Sequence, residues 1–334
     1  MKASRENPIY SVYVVSGSTK YNLTNAVEYI DMDDREKQIS QIVTIQLANI
    51  KYKGKQLSSL INVRDRVYVY ANDGEQNAEV FRGYVWTRSY KAENEGNLLQ
   101  LRCYDNLIYF QESEESKFFA SGKSTKDVVS SICSDWGVKL EYSYSSITHS
   151  KLALRGNLTD IIKSDVLDLV KERTGKKYVI RSEKDVVHIK NVGANTKVYQ
   201  IKAGKNAMDI QVECTMDGMT TKVIILGKAD DDDRQPIEAT ISGNTSTYGT
   251  IQKIINRSEN TSLADAKKEA QSIIDEDGKP KWEYTINLPD IPWIRKGDKI
   301  QCSAGGVSES LIVIGISRSI SNKEKKMSLT LEKV

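Results

Sequence analysis

Histidine and cysteine are scarce in this sequence. Its 334 residues include two histidines and four cysteines, and no two cysteines form a C-x-x-C pair. His149 and His188 stand far apart, so no cluster offers three or four metal ligands at useful spacing. The scattered cysteines predict reduced thiols in the core of a protein made in a cytosol. We therefore expect no metal and no other cofactor.

Long hydrophobic runs and a strong charge bias are also missing. No window approaches the ~18 apolar residues of a membrane helix, and the first residues do not read as a signal peptide. The 48 basic and 45 acidic residues leave a net charge of +3, whereas a dedicated duplex-DNA binder carries a stronger basic bias. Neither a membrane anchor nor sequence-specific nucleic-acid binding is expected.

One short run, G-K-S-T at positions 122–125, looks like the end of a phosphate-binding loop. Such a loop needs a glycine five residues before its final G-K-S/T, and Lys117 stands there, followed by Phe118 and Phe119. Bulky aromatic side chains cannot form a cradle of backbone amides. The run predicts instead a helix start, capped by its serine or threonine and supported by Asp127.

Other catalytic signatures are lacking as well. The sequence contains no G-x-S-x-G elbow and no H-E-x-x-H motif. Its 45 acidic residues allow many carboxylate pairs, but nothing singles one out. Four successive aspartates, Asp230–Asp233, lack the ligand spacing of a calcium loop and are interpreted as a solvated loop. We predict no catalytic residues and no enzymatic activity.

Strands dominate both ends of the chain. Alternation with period two, as in Q-I-V-T-I-Q-L-A-N and N-L-L-Q-L-R-C-Y-D, predicts a β-barrel or sandwich over residues 1–115. Residues 116–195 change to helical spacing and predict an α+β domain with helices near 125–135 and 159–174. Strands return over 196–334, with a helix near 262–275 and a long exposed excursion over 230–249. The fold class is mainly β with an α+β insert.

A similarity links the two β regions. Asp65 precedes a basic residue and an alternating strand, and Asp298 does the same near the C-terminus. Gly83 follows 18 residues after the first aspartate, and Gly315 follows 17 residues after the second. Glycine inside a strand indicates a bulge or a close approach of backbones. The hypothesis is a repeated barrel, in which the two aspartates shape equivalent turns and the glycines occupy equivalent strand positions.

Two like barrels in one chain have a consequence for assembly. Three chains around a threefold axis would present six similar barrels, so a homotrimer could match a sixfold partner.

Several segments resemble one family. P-W-I-R-K-G-D-K-I-Q-C and L-I-V-I-G-I-S-R-S-I-S near the C-terminus, V-R-D-R-V-Y-V-Y near the N-terminus, and the two helical segments are similar to baseplate hub proteins of contractile phage tails. The closest resemblance is to hubs of Gram-positive prophages and of phage-derived tail bacteriocins. It covers roughly residues 40–334. The individual motifs are degenerate, so their order carries the resemblance.

The resemblance implies two tube-type β-barrel domains that flank an α/β region. It implies a homotrimer that joins the sixfold tail tube protein on one side to the threefold spike and other baseplate proteins on the other. It also implies a location in the baseplate of a virion or tail-like particle, after synthesis in the bacterial cytoplasm. No activity of its own and no added lytic domain are expected.

Two other function classes remain open. The first is a cell-wall hydrolase that acts through a carboxylate pair. The second is a carbohydrate-binding tail component that uses some of the 17 tyrosines. A spike-type protein of a secretion system shares related barrels and stays close to the hub interpretation.

Overall fold

The structure is a computed structural model that describes residues 4, 7–36, 38–93, 96–229, 234–257 and 261–334. Within these ranges the strands are β1 Ile9–Ser16, β2 Thr19–Asn22, β3 Val27–Asp34, β4 Ile42–Ala48, β5 Lys51–Tyr52, β6 Lys55–Gln56, β7 Arg66–Asn72, β8 Asn77–Glu93, β9 Gly96–Tyr104, β10 Glu114–Phe119, β11 Lys139–Ser143, β12 Leu152–Asn157, β13 Tyr178–Glu183, β14 Val186–Asn191, β15 Tyr199–Lys202, β16 Asp209–Thr215, β17 Lys222–Leu226, β18 Ile237–Ser242, β19 Gln252–Asn256, β20 Lys281–Pro289, β21 Lys299–Ala304, β22 Val307–Ser321 and β23 Lys325–Lys333.

The helices are fewer and shorter. The α-helices are α1 Leu57–Leu60, α2 Ile108–Gln111, α3 Thr125–Asp135, α4 Leu158–Asp160, α5 Asp168–Thr174, α6 Thr245–Tyr248 and α7 Leu263–Asp277. A 3-10 turn spans Thr24–Ala26, and a π-helix, Ile161–Leu167, joins α4 to α5. The prediction of a mainly β chain with added helices is confirmed.

The chain divides into two compact units. The first comprises Met1–Gln211 and Tyr284–Val334, and the second comprises Val212–Glu283. The second unit lies inside the segment that the sequence assigned to the C-terminal domain. It has a hydrophobic cluster of its own, which explains why it is separate. The predicted limits of the three domains, 1–115, 116–195 and 196–334, stay a prediction.

One long sheet contains the same strand order twice. We call β3-β4-β9-β8-β7-β1 the N-terminal half and β16-β20-β23-β22-β21-β15 the C-terminal half, so that each strand of one matches a strand of the other. The halves join where β22 pairs antiparallel with β3, with Ile320 opposite Ile30. They differ at one end, because β15 runs parallel to β21 whereas β1 runs antiparallel to β7. Among the described residues the strand pairs do not close into a ring, so two closed barrels stay a prediction.

The alternating strands bury one face, as the sequence predicted. Val43, Ile45 and Leu47 of β4 are fully buried in the core of the N-terminal half. Ile320 of β22 belongs to that core too, although it comes from the other end of the chain. The C-terminal half has a second core, formed by β20, β21, β22 and β23 with Ile201 and Ile294. Each half therefore encloses its own apolar cluster, and the first cluster needs a residue from the second half.

The segment between the halves contains the predicted helices and hairpin. Ser124 caps α3 by accepting a hydrogen bond from the backbone N–H of Asp127, whose carboxylate accepts in return. The G-K-S-T run is thus a helix start, as predicted. The second helix runs from Leu158 through the π stretch to Thr174 and ends at Gly175, which adopts φ +68°. The predicted helix is confirmed, and its π stretch was not foreseen.

The second unit packs one helix on a three-stranded sheet. β17 lies between β18 and β19, and α7 covers them with Ala266, Ala270 and Ile274. The prediction of an exposed excursion over 230–249 is wrong in its second part, because β18 and α6 lie there. The alternation I-E-A-T-I places Ala239 and Ile241 on the core and could have revealed the strand. Asp230–Asp233 lie outside the described residues.

The cysteines agree only in part with the expectation of core thiols. Cys103, Cys133 and Cys302 are buried and free, but Cys214 is exposed on β16. Burial raises the pKa of the Cys133 thiol to about 12, so this group stays protonated near neutral pH. In the described part of the chain, no helix is both long and apolar enough to cross a membrane.

Candidate functional site: two equivalent turns

The turn before β7 is closed by Asp65. The backbone N–H of Asn62 donates to Oδ2 of Asp65 at 2.7 Å, and the N–H of Asp65 donates back to the Asn62 carbonyl at 3.3 Å. Arg64 has a left-handed φ of +69° within the turn. The N–H of Arg64 donates to the Val85 carbonyl, and the N–H of Val85 donates to the Asp65 carbonyl at 2.9 Å. The carboxylate thus fixes a tight turn that is bonded to β8.

The turn before β21 repeats every one of these bonds. The backbone N–H of Arg295 donates to Oδ2 of Asp298 at 3.0 Å, and the N–H of Asp298 donates to the Arg295 carbonyl at 3.1 Å. Gly297 has a φ of +86°. It donates to the Val313 carbonyl at 2.7 Å, and Val313 donates to the Asp298 carbonyl at 2.9 Å. We call residues 61–65 the N-turn and residues 294–298 the C-turn.

An arginine on the strand to which each turn bonds completes that turn, Arg88 on β8 and Arg318 on β22. Nη1 of Arg88 donates to the carbonyl oxygen of Ile61 at 2.6 Å, and Nη2 of Arg318 donates to that of Ile294 at 2.6 Å. Each isoleucine stands four residues before the turn aspartate and is fully buried. The arginines satisfy carbonyl groups that the tight turns leave without backbone partners. They were not predicted, although W-T-R-S and I-S-R-S carry a shared Arg-Ser pair that could have revealed them.

The two predicted glycines do not share one position relative to these turns. Gly83 lies two residues before Val85, whereas Gly315 lies two residues after Val313. A Cβ atom on Gly83 would lie 2.1 Å from the Tyr104 carbonyl oxygen, so the backbones approach closely there. On Gly315 a Cβ atom would lie 3.3 Å from the side chain of Thr330, beside a bulge in the pairing of β22 with β23. The structure gives Asp65 and Asp298 the same bonds and gives the glycines different surroundings.

The C-turn is covered by other parts of the first unit. Nη1 of Arg181, on β13, donates to Oδ1 of Asp298 at 3.2 Å and to the Lys296 carbonyl at 3.0 Å. The Nζ of Lys296 forms an ion pair of 2.5 Å with Asp34 at the end of β3. The side chain of Val179 packs where a Cβ atom on Gly297 would lie. Lys296 and Asp298 are accordingly buried, each 7% exposed.

A buried ionic network lies behind the C-turn. Nε of Arg318 donates to Oδ1 of Asp290 at 3.0 Å, and the Tyr10 hydroxyl of β1 donates to the other carboxylate oxygen. The side chains of Arg318 and Asp290 are 3% and 0% exposed. Burial, and then the negative charge of Asp290, raise the pKa of the Tyr10 hydroxyl. Tyr10 therefore stays protonated and acts as a donor that links the first strand to the C-terminal half.

A small cavity of about 70 Å³ adjoins this network, lined by charged groups that include Asp34, Asp105, Arg181, Glu183 and Arg295. Burial raises the pKa of Asp105 to about 7, although the carboxylate accepts bonds from Ser40 and from two backbone N–H groups. Burial, and then the positive charges of Arg318 and Arg181, lower the pKa of Arg295 to about 10. Of these two groups, Asp105 is therefore held close to its titration range at neutral pH, whereas Arg295 stays charged.

The N-turn is open by comparison. Val63 occupies the position that matches Lys296 and is 60% exposed. A shallow groove of about 320 Å³ begins there and is lined by Val63, Arg64, Tyr84, Val85, Trp86 and Tyr109. The aromatic rings of Tyr84, Trp86 and Tyr109 meet edge to face. Among the described residues, no group of three or more histidine, cysteine or acidic side chains could hold a metal ion.

The sequence matches the YQBQ-like family model over residues 32–332. The phage-like element PBSX protein XkdQ of Bacillus subtilis (strain 168) is 22% identical over 243 residues, which are 70% of this chain and 73% of that protein. The tail protein from Neisseria meningitidis MC58 has a TM-score of 0.72 at 14% identity, over 97% of this chain and 96% of that one. The tail protein of prophage MuSo2 from Shewanella oneidensis has a TM-score of 0.71 at 13% identity, over 97% and 98% of the two chains.

At these identities the likeness to the two tail proteins shows a shared fold. Together with the family match, it confirms the resemblance to phage tail hub proteins that the ordered sequence motifs indicated. The two turns lie within the matched residues, at the same place in each half of the sheet. The chain belongs to the YQBQ-like family.

Proposed function

We propose that this chain is a structural hub of the baseplate of a contractile phage tail or tail-like particle. In this proposal it forms a homotrimer that joins the sixfold tail tube to the threefold spike, and it carries no catalytic site. Its place would be the baseplate of the particle, after assembly in the bacterial cytoplasm. Two proteins that share its fold, from Neisseria meningitidis and from prophage MuSo2, are tail proteins, which supports this class of function.

The duplicated turn carries the proposal. Asp65 and Asp298 make the same bonds in two halves with the same strand order, and the halves lie side by side in one sheet. A chain that presents two like units, repeated three times around an axis, presents six like units to a sixfold partner. The matching halves would serve as the two tube-type domains of the ring.

The buried ion pairs support a mechanical role. Arg318 with Asp290, and Lys296 with Asp34, tie the C-turn to both halves and have almost no exposure to solvent. Such pairs strongly penalise any rearrangement that separates them, because each charge would be left buried without a partner. A hub driven through a cell envelope together with its tube and spike requires this kind of rigidity.

Solution mass and electron microscopy of the purified protein test the proposal. Light scattering coupled to size exclusion should give three times the chain mass of 37.6 kDa, and negative-stain images should show a ring with six similar lobes. A chain that stays monomeric at every concentration, alone and with its tube and spike proteins, would contradict the hub assignment.

The aromatic groove at the N-turn favours one second candidate, a carbohydrate-binding tail component. Trp86 is 39% exposed, and exposed aromatic rings can stack on sugar faces. Binding to bacterial glycans that is lost in Trp86→Ala would support this function. A zymogram on purified peptidoglycan tests the remaining alternative, a cell-wall hydrolase.

A further inference from the structure

Residues 192–195 of this chain cover the C-turn. They follow β14 and continue to β15, which pairs parallel with β21. The backbone N–H of Gly193 donates to the Gly297 carbonyl oxygen at 2.8 Å. A Cβ atom on Gly193 would lie 3.4 Å from Cδ1 of Ile312, so the segment is packed against β22 as well. A short stretch of backbone thus fills the space beside the C-turn.

The matching position at the N-turn is open. Arg64 matches Gly297, since each stands directly before the turn aspartate. Tyr84 matches Ile312, since each pairs with the residue that directly follows that aspartate. Ile312 is 4% exposed beneath residues 192–195, whereas Tyr84 is partly exposed. In the part of the chain that the structure describes, no N–H group donates to the Arg64 carbonyl.

The groove at the N-turn contains one unpaired charge. Of the six described residues that line it, Arg64 alone is charged, and its exposed side chain forms no ion pair with another described residue. The neighbouring Arg66 is already paired, because its Nη2 lies 2.5 Å from the carboxylate of Asp185. The guanidinium carbon of Arg66 also lies 4.4 Å from the centre of the Tyr84 ring. The ring is thus held in place, while Arg64 remains available for a carboxylate.

The rest of the groove is apolar and aromatic. Val63 is 60% exposed and Trp86 is 39% exposed. Tyr84 and Trp86 each meet Tyr109 edge to face, with ring centres 5.7 and 5.8 Å apart. An apolar ligand group would remove these side chains from water, which favours association. Together with the charge of Arg64, the groove fits an apolar group next to a carboxylate better than it fits an uncharged sugar.

We propose that the groove at the N-turn binds an extended peptide segment of a partner protein, in which an aspartate or glutamate stands next to an apolar residue. A backbone N–H of that peptide would donate to the Arg64 carbonyl, as Gly193 donates to Gly297 at the C-turn. Its apolar side chain would pack against Val63 and Trp86, and its carboxylate would pair with the Arg64 guanidinium. The inference goes beyond the proposed hub function and does not depend on how many copies of the chain assemble.

Short synthetic peptides of random sequence, displayed on an array and incubated with the labelled protein, test the proposal. We expect enrichment of aspartate or glutamate beside an aliphatic or aromatic residue. Fluorescence anisotropy then gives the Kd of the best peptide, which Arg64→Gln and Trp86→Ala should each raise at least about tenfold. Arg155→Gln, at an exposed arginine of β12 outside the groove, should bind as the wild-type protein does. Replacing the acidic residue of the peptide with its amide should not weaken binding to Arg64→Gln further, because the charge pair is already lost.

Four results would overturn the proposal. The first is an array without enriched peptides, and the second is a best peptide that binds Arg64→Gln as tightly as the wild-type protein. An equal loss in Arg155→Gln would show that binding depends on net charge and not on the groove. Self-assembly that Arg64→Gln abolishes, measured by light scattering, would assign the groove to a second copy of the chain. The mass of the wild-type protein tests the proposed trimer separately, so the two proposals can fail independently.

Discussion

Arg88 and Arg318 each donate a hydrogen bond of 2.6 Å to the carbonyl oxygen of an isoleucine that stands four residues before a turn aspartate. Together with the aspartate bonds, this relationship shows that the two halves share a construction down to single hydrogen bonds. The same relationship predicts which variants should behave alike and which should differ.

The two arginines should differ in their contribution to stability. Arg318→Met leaves the carboxylate of Asp290 buried without a cation, at an expected cost of about 3–5 kcal/mol in the free energy of unfolding. Arg88→Met removes hydrogen bonds to the carbonyl groups of Ser58 in α1 and Ile61 in the N-turn, at an expected cost of about 1–2 kcal/mol. Urea unfolding of both variants measures the difference, and equal costs would contradict it.

The two turn aspartates form a similar comparison. Asp65→Ala should destabilise by about 1–2 kcal/mol, because it releases one backbone N–H of an exposed turn. Asp298→Ala also removes one of the two carboxylates that pair with Arg181, and it should cost more, about 3 kcal/mol. Thermal and urea unfolding provide the measurement. A larger loss at Asp65 would mean that the contacts around the C-turn do not add to its stability.

The two glycines should tolerate a side chain to very different extents. Gly83→Val places a Cβ atom 2.1 Å from a backbone oxygen, which cannot move without opening the pairing of β8 with β9, so we expect no folded protein. Gly315→Val meets the side chain of Thr330 at 3.3 Å and should cost about 1–3 kcal/mol. Soluble yield and melting temperature test this, and normal folding and assembly of both variants would exclude a structural role for the glycines.

Asp105 should make stability depend on pH. Burial raises its pKa from 3.8 to about 7, so between these values the folded protein keeps a proton that the unfolded chain releases. This contribution to the free energy of unfolding is full below about pH 4 and falls as pH rises to about 7, by at most about 1.4 kcal/mol per unit. Burial lowers the pKa of His149, so the contribution of His149 to the free energy of unfolding rises with pH. The effect of Asp105 must therefore be measured as the difference between the wild-type protein and a variant at position 105.

Asp105→Asn should remove the decrease in the free energy of unfolding that Asp105 causes as pH rises. Asp217→Asn, at an exposed aspartate, should leave that decrease unchanged. Urea unfolding from pH 4 to pH 8 provides the profile. An identical profile for wild type and Asp105→Asn would show that Asp105 ionises normally in the folded protein.

Much of the local structure could be predicted from the sequence because its causes are local. The cap at Ser124, the left-handed Gly175 and the alternation of β4 depend on residues close to one another in the chain. The turn aspartates were predictable for the same reason, since each carboxylate bonds to the backbone three residues earlier.

Other features depend on long-range contacts, which give no periodic signal. The order of strands around β22 and β3, the Tyr10–Asp290 bond and the insertion of Ile320 join residues from opposite ends of the chain. The glycines show the difference well. Residue type and spacing suggested one shared position. The hairpin differs in length between the halves, however, with 20 residues from Asp65 to Val85 and 15 from Asp298 to Val313, so the two glycines meet different neighbours.

The insertion of Ile320 into the core of the N-terminal half has a consequence for synthesis on the ribosome. That core cannot be completed when its own strands have emerged, because one of its side chains is translated much later. A nascent chain interrupted before Ile320 would expose an incomplete apolar cluster and an unpaired edge of β3, features that chaperones and proteases act on. The N-terminal half can therefore complete its core only after the last strands have been translated. This requirement would keep truncated chains from entering a particle built from identical copies.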